Sequence, residues 1–220
     1  MTVLRLSPLH HHLEALEPTW RELNGMPAAW RLRPAAGVAV QLADCSALDR
    51  IGLKGPGAID WLRAGNLPVP GPHNTWLPID RGLIARLGRG EFLIEDALGG
   101  SHVAPLRAAL SVSVPRVYPV LRQDAALLMR GERVHELLAQ VCNVDFSAIP
   151  PRERAVTLTM MAGVSVTILR TALDDTPCYR IWCDATLGVY LWETLAQIGA
   201  ELGGGVAGLA EVLPEAAALQ

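Results

Sequence analysis

Short runs in which apolar residues alternate with small or polar ones occur along much of the chain, and glycine-rich turns separate them. The runs 38–42 and 49–54 have this pattern, and the runs 82–87 and 91–95 flank the turn from Gly88 to Gly90. A period of two is typical of β-strands with one buried face. The pattern therefore predicts several short strands, and the last two runs predict a β-hairpin.

Other segments carry apolar residues three or four positions apart, which is typical of helices with one buried face. Ser7 and Pro8 are suitable residues for the start of the first helix, and Gly203 to Gly205 can end the last one. The apolar positions of the four predicted helices are Leu9, Leu13 and Leu16; Ala58, Ile59, Trp61 and Leu62; Val134, Leu137, Leu138 and Val141; and Val189, Tyr190, Trp192, Leu195, Ile198 and Leu202.

One unit of strand, glycine and helix occurs twice. Gly131 and Leu138 follow Gly55 and Leu62 by the same 76 residues, which indicates a weak internal duplication. In the second half a hairpin over 155–161 and 164–170 precedes a strand at 179–183. These elements predict an α+β protein with ferredoxin-like β-α-β-β units and mainly antiparallel sheets.

We predict three regions from this order of elements. Residues 1–36 form an N-terminal arm, residues 37–122 a first β-α-β-β subdomain, and residues 123–220 a second β-α-β-β-α subdomain, all packed together as one unit. Beyond its helix the arm contains Trp20, Pro27, Trp30 and Pro34, and we expect an irregular segment laid across a surface. Likewise the Pro-rich stretch from 68 to 78 is predicted to be a linker.

Composition excludes several classes of protein. Of the 220 residues 50% are apolar and 19% are charged, which is typical of a chain with a core and excludes intrinsic disorder. A net charge of −3 without an arginine-rich run gives no basis for nucleic-acid binding. No apolar run approaches the roughly 20 residues of a membrane span, and no export signal is recognisable. The four cysteines are too sparse for a disulfide framework, so we expect reduced thiols and a cytoplasmic protein.

The low content of charged residues suggests that part of the surface is covered by another protein. A bias in base composition offers a second explanation, because the chain has 18 arginines and a single lysine. Both explanations stay open at the level of the sequence.

The turn that contains Lys54, Gly55 and Gly57 is the strongest local candidate for a binding site. It precedes a predicted helix, whose first N–H groups and dipole favour an anion, and the only lysine of the chain stands beside it. A tight turn with Pro56 in the first helical turn is the structural alternative, and we favour it. Neither a phosphate loop nor a dinucleotide-binding glycine motif is present, so no nucleotide or flavin site is expected in this chain.

Other candidates for chemistry are weaker still. His10 and Glu14 could bind a metal ion from one helix face, but two ligands leave a tetrahedral site half empty. Cys178 and Cys183 point to opposite faces of a predicted strand and are expected to be packed as small apolar groups. The serines have no nucleophile motif, so we expect neither catalytic residues nor a metal site.

The chain resembles the gamma subunit of heterotetrameric sarcosine oxidase over nearly its whole length. The segment from Asp44 to Leu62 is the most specific part of this resemblance. The other matching positions follow in the same order: Asn74, 82–88, 91–94, Gly131, Leu138, Cys142, Asp145, 163–166, 179–181, 190–192 and Leu195.

That family is similar in turn to the folate-binding part of the glycine-cleavage aminomethyltransferase, which implies the same α+β fold here. The aminomethyltransferase takes its catalytic carboxylate from paired aspartates, and the matching stretch of this chain runs from Arg81 to Leu87. The resemblance places Ala85 and Arg86 where the two acids stand. A methyl group cannot accept a proton, and a guanidinium repels a developing cationic amine, so independent aminomethyl transfer is not expected.

The resemblance implies a non-catalytic, non-redox subunit with a scaffold role. Its partners would be the larger flavoprotein subunits of a hetero-oligomeric complex, which hold flavin, NAD and tetrahydrofolate, and this chain alone would bind none of them. The substrate would be sarcosine or, as in the related N-methylglutamate dehydrogenase, N-methylglutamate. The alternative is a free-standing folate-binding or aminomethyltransferase-like one-carbon protein that uses the cleft near Lys54.

Overall fold

A computed structural model describes residues 5–32, 39–171, 176–213 and 215–216. It confirms the predicted α+β class with mostly antiparallel sheets. The strands are β1 (Thr19–Leu23), β2 (Met26–Arg31), β3 (Gln41–Asp44), β4 (Arg50–Lys54), β5 (Thr75–Ile79), β6 (Gly82–Arg86), β7 (Glu91–Asp96), β8 (Tyr118–Val120), β9 (Ala125–Arg130), β10 (Val156–Met161), β11 (Val164–Thr171), β12 (Cys178–Cys183) and β13 (Gly205–Val206). The α-helices are α1 (His10–Glu14), α2 (Ala58–Ala64), α3 (Val103–Ala109), α4 (Val134–Val141), α5 (Gly188–Glu201) and α6 (Leu209–Val212).

The chain divides into two compact units. The smaller unit comprises Leu48–Arg122 with Glu153–Val156, and the larger unit comprises the described residues up to Ala47, Gln123–Arg152 and those from Thr157 onward. The division after residue 122 coincides with the predicted one, but the predicted boundary at residue 37 does not. The reason is that β3 pairs antiparallel with β9, so the arm and β3 belong to the larger unit. That the halves pack together as one unit stays a prediction.

The smaller unit contains a five-stranded sheet in the order β5-β6-β7-β4-β8. The helices α2 and α3 bury Ala58, Leu62 and Val103 in its core. These residues pack with apolar side chains of β4, β6 and β7, among them Leu53 and Phe92. The predicted hairpin is confirmed as β6 and β7.

The larger unit contains a six-stranded sheet in the order β10-β11-β12-β9-β3-β13. Its core combines the inner face of this sheet with the buried stripes of α4 and α5. The spacing of their apolar residues predicted these stripes, except that Tyr190, predicted on the stripe of α5, is exposed. Leu13 of α1 and Leu9, which directly precedes this helix, also lie in this core, whereas Leu16, predicted on the same face, lies beyond the helix and is exposed. Residue 38 and Pro34 lie outside the described residues.

The weak internal duplication has a structural counterpart. In the smaller unit β4, α2 and the meander β5-β6-β7 follow one another, and β7 pairs back with β4. In the larger unit β9, α4 and the meander β10-β11-β12 do the same, and β12 pairs back with β9. The repeat is therefore one strand longer than the β-α-β-β unit that the sequence predicts.

Two segments that were predicted to be irregular are strands. The arm forms the hairpin β1-β2, because Asn24 and Gly25 both have positive φ, 52° and 75°, as a two-residue hairpin turn requires. The Pro-rich linker contains β5, which pairs with β6 as the outer strand of its sheet. An outer strand tolerates Pro78 because its unpaired side needs no N–H donor.

None of the helices in the described part of the chain is long and apolar enough to cross a membrane.

Candidate functional site

The stretch that matches the acidic motif of the aminomethyltransferase lies on β6. Ala85 is completely buried within the sheet, between strands β5 and β7, with Trp76 and Leu93 as its register partners. Its methyl group has no access to solvent and carries no acid or base. Position 85 therefore contributes packing and no proton transfer.

Arg86 follows Ala85 and fastens two loops to the end of β6. Its Nε donates to the carbonyl of Gly88 at 3.2 Å, and its Nη2 donates to the carbonyl of Arg89 at 2.8 Å. On the other side, Nη1 donates to the carbonyls of Pro70, at 3.1 Å, and Gly71. All three guanidinium nitrogens thus bind backbone oxygens, and the role of Arg86 in this structure is to hold the turn 88–89 and the loop 70–71.

Three carboxylates are buried in the described part of the chain, and each accepts hydrogen bonds inside the fold. Asp44 accepts from Ser7 Oγ at 2.5 Å and from the N–H of Ser46 at 2.9 Å. Asp96 accepts from the first N–H groups of α3, those of His102 and Val103, at 3.1 and 3.0 Å. These carboxylates stabilise a turn and a helix end.

The third buried carboxylate, Glu95, forms an ion pair with Arg50. Arg50 Nε lies 3.0 Å from Glu95 Oε2, and the two side chains are 2% and 1% exposed. The residues are direct partners on β4 and β7, so the pair links neighbouring strands of the sheet. A buried charge needs such a partner because removal from water otherwise opposes its ionisation.

The candidate anion site at Lys54, Gly55 and Gly57 has the predicted turn but few available donors. The N–H of Gly55 donates to the carbonyl of Gly90 at 2.9 Å, and that of Gly57 donates to the carbonyl of Arg116 at 3.0 Å. Lys54 is exposed at the end of β4. The backbone groups that would bind an anion are therefore used within the fold, and α2 is only seven residues long. Anion binding at this turn stays a prediction.

The candidate metal pair of His10 and Glu14 is not formed. Glu14 lies 3.6 Å from His11, while the ring of His10 packs against Trp20 at a centroid distance of 4.7 Å. His12 reaches Glu193 of α5 at 3.4 Å. Within the described residues no group of three or more His, Cys, Asp or Glu is arranged to hold a metal ion.

All four cysteines are buried and free, and for Cys142, Cys178 and Cys183 packing as small apolar groups was predicted. Burial, with a smaller contribution from Asp124 and Asp184, raises the pKa of the Cys183 thiol to about 11. Cys45 accepts a hydrogen bond from Arg180 Nη1 at 2.7 Å. A thiol that is buried and protonated at neutral pH is a poor nucleophile.

A histidine–tyrosine pair joins α4 to β12. The imidazole Nε2 of His135 lies 2.8 Å from the hydroxyl of Tyr179, and Phe146 packs edge-on against the tyrosine ring. Burial raises the pKa of Tyr179 to about 12. Burial also lowers the pKa of His135, and the positive charge of Arg170 lowers it further. The pair was not singled out by the sequence, because nothing local to either residue indicates the other.

Described residues form at least two open depressions on the surface. One, of about 450 Å³, lies between α2 and α3 of the smaller unit and is lined mainly by apolar residues, with Ser101 and His102 as polar groups. The other, of about 470 Å³, lies on the larger unit, where Trp182, Asp124 and Asp184 contribute to its lining. Neither contains Ala85, Arg86 or the Lys54 turn.

Comparison with known proteins agrees with the resemblance carried by the sequence. No family model matches the chain. An aminomethyltransferase of Saccharopolyspora erythraea is 26% identical over a gapped alignment of 231 positions, which covers 95% of this chain and 62% of that protein. The chain thus spans less than two thirds of this curated relative.

Solved structures agree over most of the chain. Aminomethyltransferase T of the glycine cleavage system from Bartonella henselae matches 94% of this chain and 60% of its own, with a TM-score of 0.67 and 16% identity. A chain of the heterotetrameric sarcosine oxidase from Corynebacterium sp. U-96, solved with pyrrole 2-carboxylate, matches 91% of this chain and 97% of its own, with a TM-score of 0.65 and 21% identity. The chain has an aminomethyltransferase-like fold. The predicted resemblance to heterotetrameric sarcosine oxidase and to aminomethyltransferases is confirmed.

Within the aminomethyltransferase-like fold, positions 85 and 86 are those at which an acidic pair could be expected. The resemblance implies that a protein that transfers aminomethyl groups has paired acidic residues at these positions. Here the first position is sealed inside the sheet and the second binds backbone carbonyls. The chain therefore has this fold, but the stretch from Arg81 to Leu87, which matches the acidic motif, contains no acidic pair.

Proposed function

We propose that this chain is a non-redox, gamma-type subunit of a flavin-dependent secondary-amine oxidoreductase complex of the heterotetrameric sarcosine oxidase type, with a scaffold role. The observation that carries the proposal is the commitment of Arg86 to four backbone carbonyls beside the buried Ala85. These two residues can stabilise loops but cannot act as general acid or base. The match to nearly all of a sarcosine oxidase chain supports the same assignment.

In this proposal the larger flavoprotein subunits bind flavin, NAD and tetrahydrofolate, and the complex acts on sarcosine or N-methylglutamate. The absence of dinucleotide and phosphate-loop motifs from the sequence supports the assignment of flavin and NAD to other subunits. The donors of the Lys54 turn do not fit a bound folate, because those of Gly55 and Gly57 already have carbonyl acceptors. Four free, buried cysteines favour a cytoplasmic complex.

Co-expression with the large flavoprotein subunits of such a complex tests the proposal. We expect the chain to co-purify with them in fixed stoichiometry, whichever subunit carries the affinity tag. The isolated chain should show no amine oxidation and no aminomethyl transfer. Absence of association in both orders of tagging, or turnover by the isolated chain, would overturn the proposal.

The similarity to an aminomethyltransferase favours a second candidate, a free-standing folate-binding one-carbon protein. Calorimetry with tetrahydrofolate separates the two, because this candidate requires heat of binding by the isolated chain. We expect none at millimolar ligand. Binding that Lys54→Ala removes would favour the second candidate over the subunit.

A further inference from the structure

The outer strands of the two large sheets differ in how their unpaired edges are protected. On the smaller unit β5 contains Pro78 and the short β8 contains Pro119. On the larger unit β13 has only two residues. Proline and short length are common means by which proteins keep outer strands from pairing with other chains.

Strand β10 has none of these protections. Its six residues, Val156–Met161, include neither proline nor a charged side chain. It is the outermost strand of the six-stranded sheet. The outer edge is already paired at its start, because the N–H of Val156 donates to the carbonyl of Asn74 at 2.8 Å and Ala155 bridges to Thr75. Because backbone direction alternates along a strand, Leu158 and Met160 direct their N–H and C=O groups to the same outer edge.

Two side chains of β10 are also exposed to solvent. Leu158 is 54% exposed and Met160 is 52% exposed, although both are large and apolar. They form one rim of the depression on the larger unit. In the described structure no strand lies along their outer edge. An uncharged edge at which Leu158 and Met160 direct their backbone groups outward, with exposed apolar side chains, is a template for strand addition.

The depression beside β10 has a negative character. Trp182 lies in its lining together with the carboxylates of Asp124 and Asp184. Hydrogen bonds from Thr186 lower the pKa of Asp184, which keeps this carboxylate ionised. Burial raises the pKa of the nearby Cys183, and both carboxylates raise it further. An aromatic ring beside two carboxylates suits an ammonium or guanidinium group.

We propose that β10 pairs with an extended segment of a partner subunit, and that a lysine or arginine of this segment enters the depression beside Asp124 and Asp184. The edge of β10 supplies backbone hydrogen bonds, Leu158 and Met160 supply apolar contact, and the carboxylates select the cationic side chain. This inference rests on the proposed function, since it names the surface by which the subunit binds its partner.

The contribution of this surface is measured by comparing how strongly the wild type and its variants bind the co-expressed flavoprotein subunits. Leu158→Lys places a charge at the edge, and we expect it to weaken binding by about tenfold or more. Leu158→Pro removes one outward N–H and should weaken binding similarly. Val112→Lys, at a residue that is 67% exposed on the smaller unit, is the matched control and should bind like the wild type.

A double variant tests the two carboxylates of the depression. Asp124→Asn with Asp184→Asn keeps the side-chain shapes, and asparagine can still accept the hydrogen bonds from Thr186. We expect about fivefold weaker binding and a flatter dependence on salt. Glu132→Gln, at an exposed carboxylate elsewhere on the larger unit, is the control. Hydrogen exchange of the outward amides of Leu158 and Met160 should slow in the wild-type complex.

The outcomes distinguish a failure of the proposed function from a failure of this inference about β10. If the wild-type chain does not associate with the flavoprotein subunits, both the proposed function and this inference fail. If it associates and the Leu158 variants bind equally well, only the inference fails. Unchanged binding by the double asparagine variant overturns the cationic partner. Self-association of the isolated chain that Leu158→Lys abolishes would make a second copy the occupant and overturn the proposal.

Discussion

Gly131 repeats the conformation of Gly55 at a distance of 76 residues. Their φ angles are 142° and 135°, values that L side chains rarely adopt, and each glycine directly follows a strand. Three residues later the N–H of Ala58 donates to the carbonyl of Gly55, and that of Val134 donates to the carbonyl of Gly131. The same turn thus starts α2 and α4, which explains why glycine occupies both positions.

Substitution of Gly55 tests the requirement for this turn. A Cβ atom there would lie 2.2 Å from the carbonyl oxygen of Arg116, in addition to the strain of positive φ. We expect Gly55→Ala to lower the free energy of unfolding by about 2–4 kcal/mol in urea denaturation. Gly71→Ala, where a Cβ atom meets nothing within 4 Å, should change it by less than about 0.5 kcal/mol. Equal effects of the two substitutions would contradict this account of the turn.

Arg86 should matter for stability and not for chemistry. Arg86→Ala removes the donors to Pro70, Gly71, Gly88 and Arg89, and we expect a loss of about 1–3 kcal/mol in the free energy of unfolding. Arg89→Ala, which keeps its backbone carbonyl and changes an exposed side chain, is the control and should be nearly neutral.

The acidic pair can also be restored by Ala85→Asp with Arg86→Asp. We expect no aminomethyl transfer to tetrahydrofolate, because position 85 is buried and the loops lose their guanidinium clamp. Transfer activity in a folded variant would show that the two substitutions alone silenced a catalytic site.

The ion pair of Arg50 and Glu95 should be costly to break from one side. Glu95→Ala leaves a buried guanidinium without this partner, and we expect a loss of about 3–5 kcal/mol in the free energy of unfolding. Arg50→Met combined with Glu95→Ala should lose less than the sum of the single losses, since the pair is removed together. Glu136→Ala, at an exposed ion pair with Arg133, should unfold at nearly the wild-type urea concentration.

Stability should fall on mild acidification because of His135. Burial holds the pKa of this imidazole below 6.5 in the folded chain, so the unfolded chain binds the proton more readily. The contribution of His135 is therefore fully present above pH 6.5 and is lost as the pH falls through the folded pKa. Urea midpoints at pH 7.5 and pH 5.5 measure the loss, and His135→Gln should reduce the difference between them. His73→Gln, at an exposed histidine, should leave the difference unchanged.

The cysteines should react only after unfolding. All four are buried, and the pKa of Cys183 is raised to about 11, so little thiolate is present at neutral pH. Ellman's reagent should modify the native chain slowly and titrate four thiols in urea. A rapid phase in the native state would identify a thiol that is accessible.

Several elements could be predicted because their signals are local. The stripe of Val134, Leu137 and Leu138 gave α4, and all three side chains are buried. The turn at Ala162 and Gly163, both with positive φ, joins the predicted hairpin strands β10 and β11. The hairpin of the arm was not predicted although Asn24 and Gly25 are adjacent, because the neighbouring Trp20, Pro27 and Trp30 favoured an irregular segment.

The partners of individual side chains could not be predicted in this way. Arg50 meets Glu95 only because β4 and β7 pair in one register, and His135 meets Tyr179 only because α4 packs on β12. β3 was assigned to the wrong half because its partner β9 lies some 80 residues further along the chain. Such contacts depend on the order of strands in a sheet, which periodicity does not contain.

The sequence by itself determined the strands, helices and glycine turns, and through its resemblance the fold and the replacement of paired acids by Ala85 and Arg86. These features follow from short-range sterics and from the burial of one face of each element, which neighbouring residues decide. Only the tertiary structure decided that Arg86 binds four backbone carbonyls and that the N–H groups of Gly55 and Gly57 donate within the fold. It also decided that β10 is an outermost strand beside Asp124 and Asp184. Each of these depends on groups brought together from distant parts of the chain, where the packing of whole elements sets distances and access.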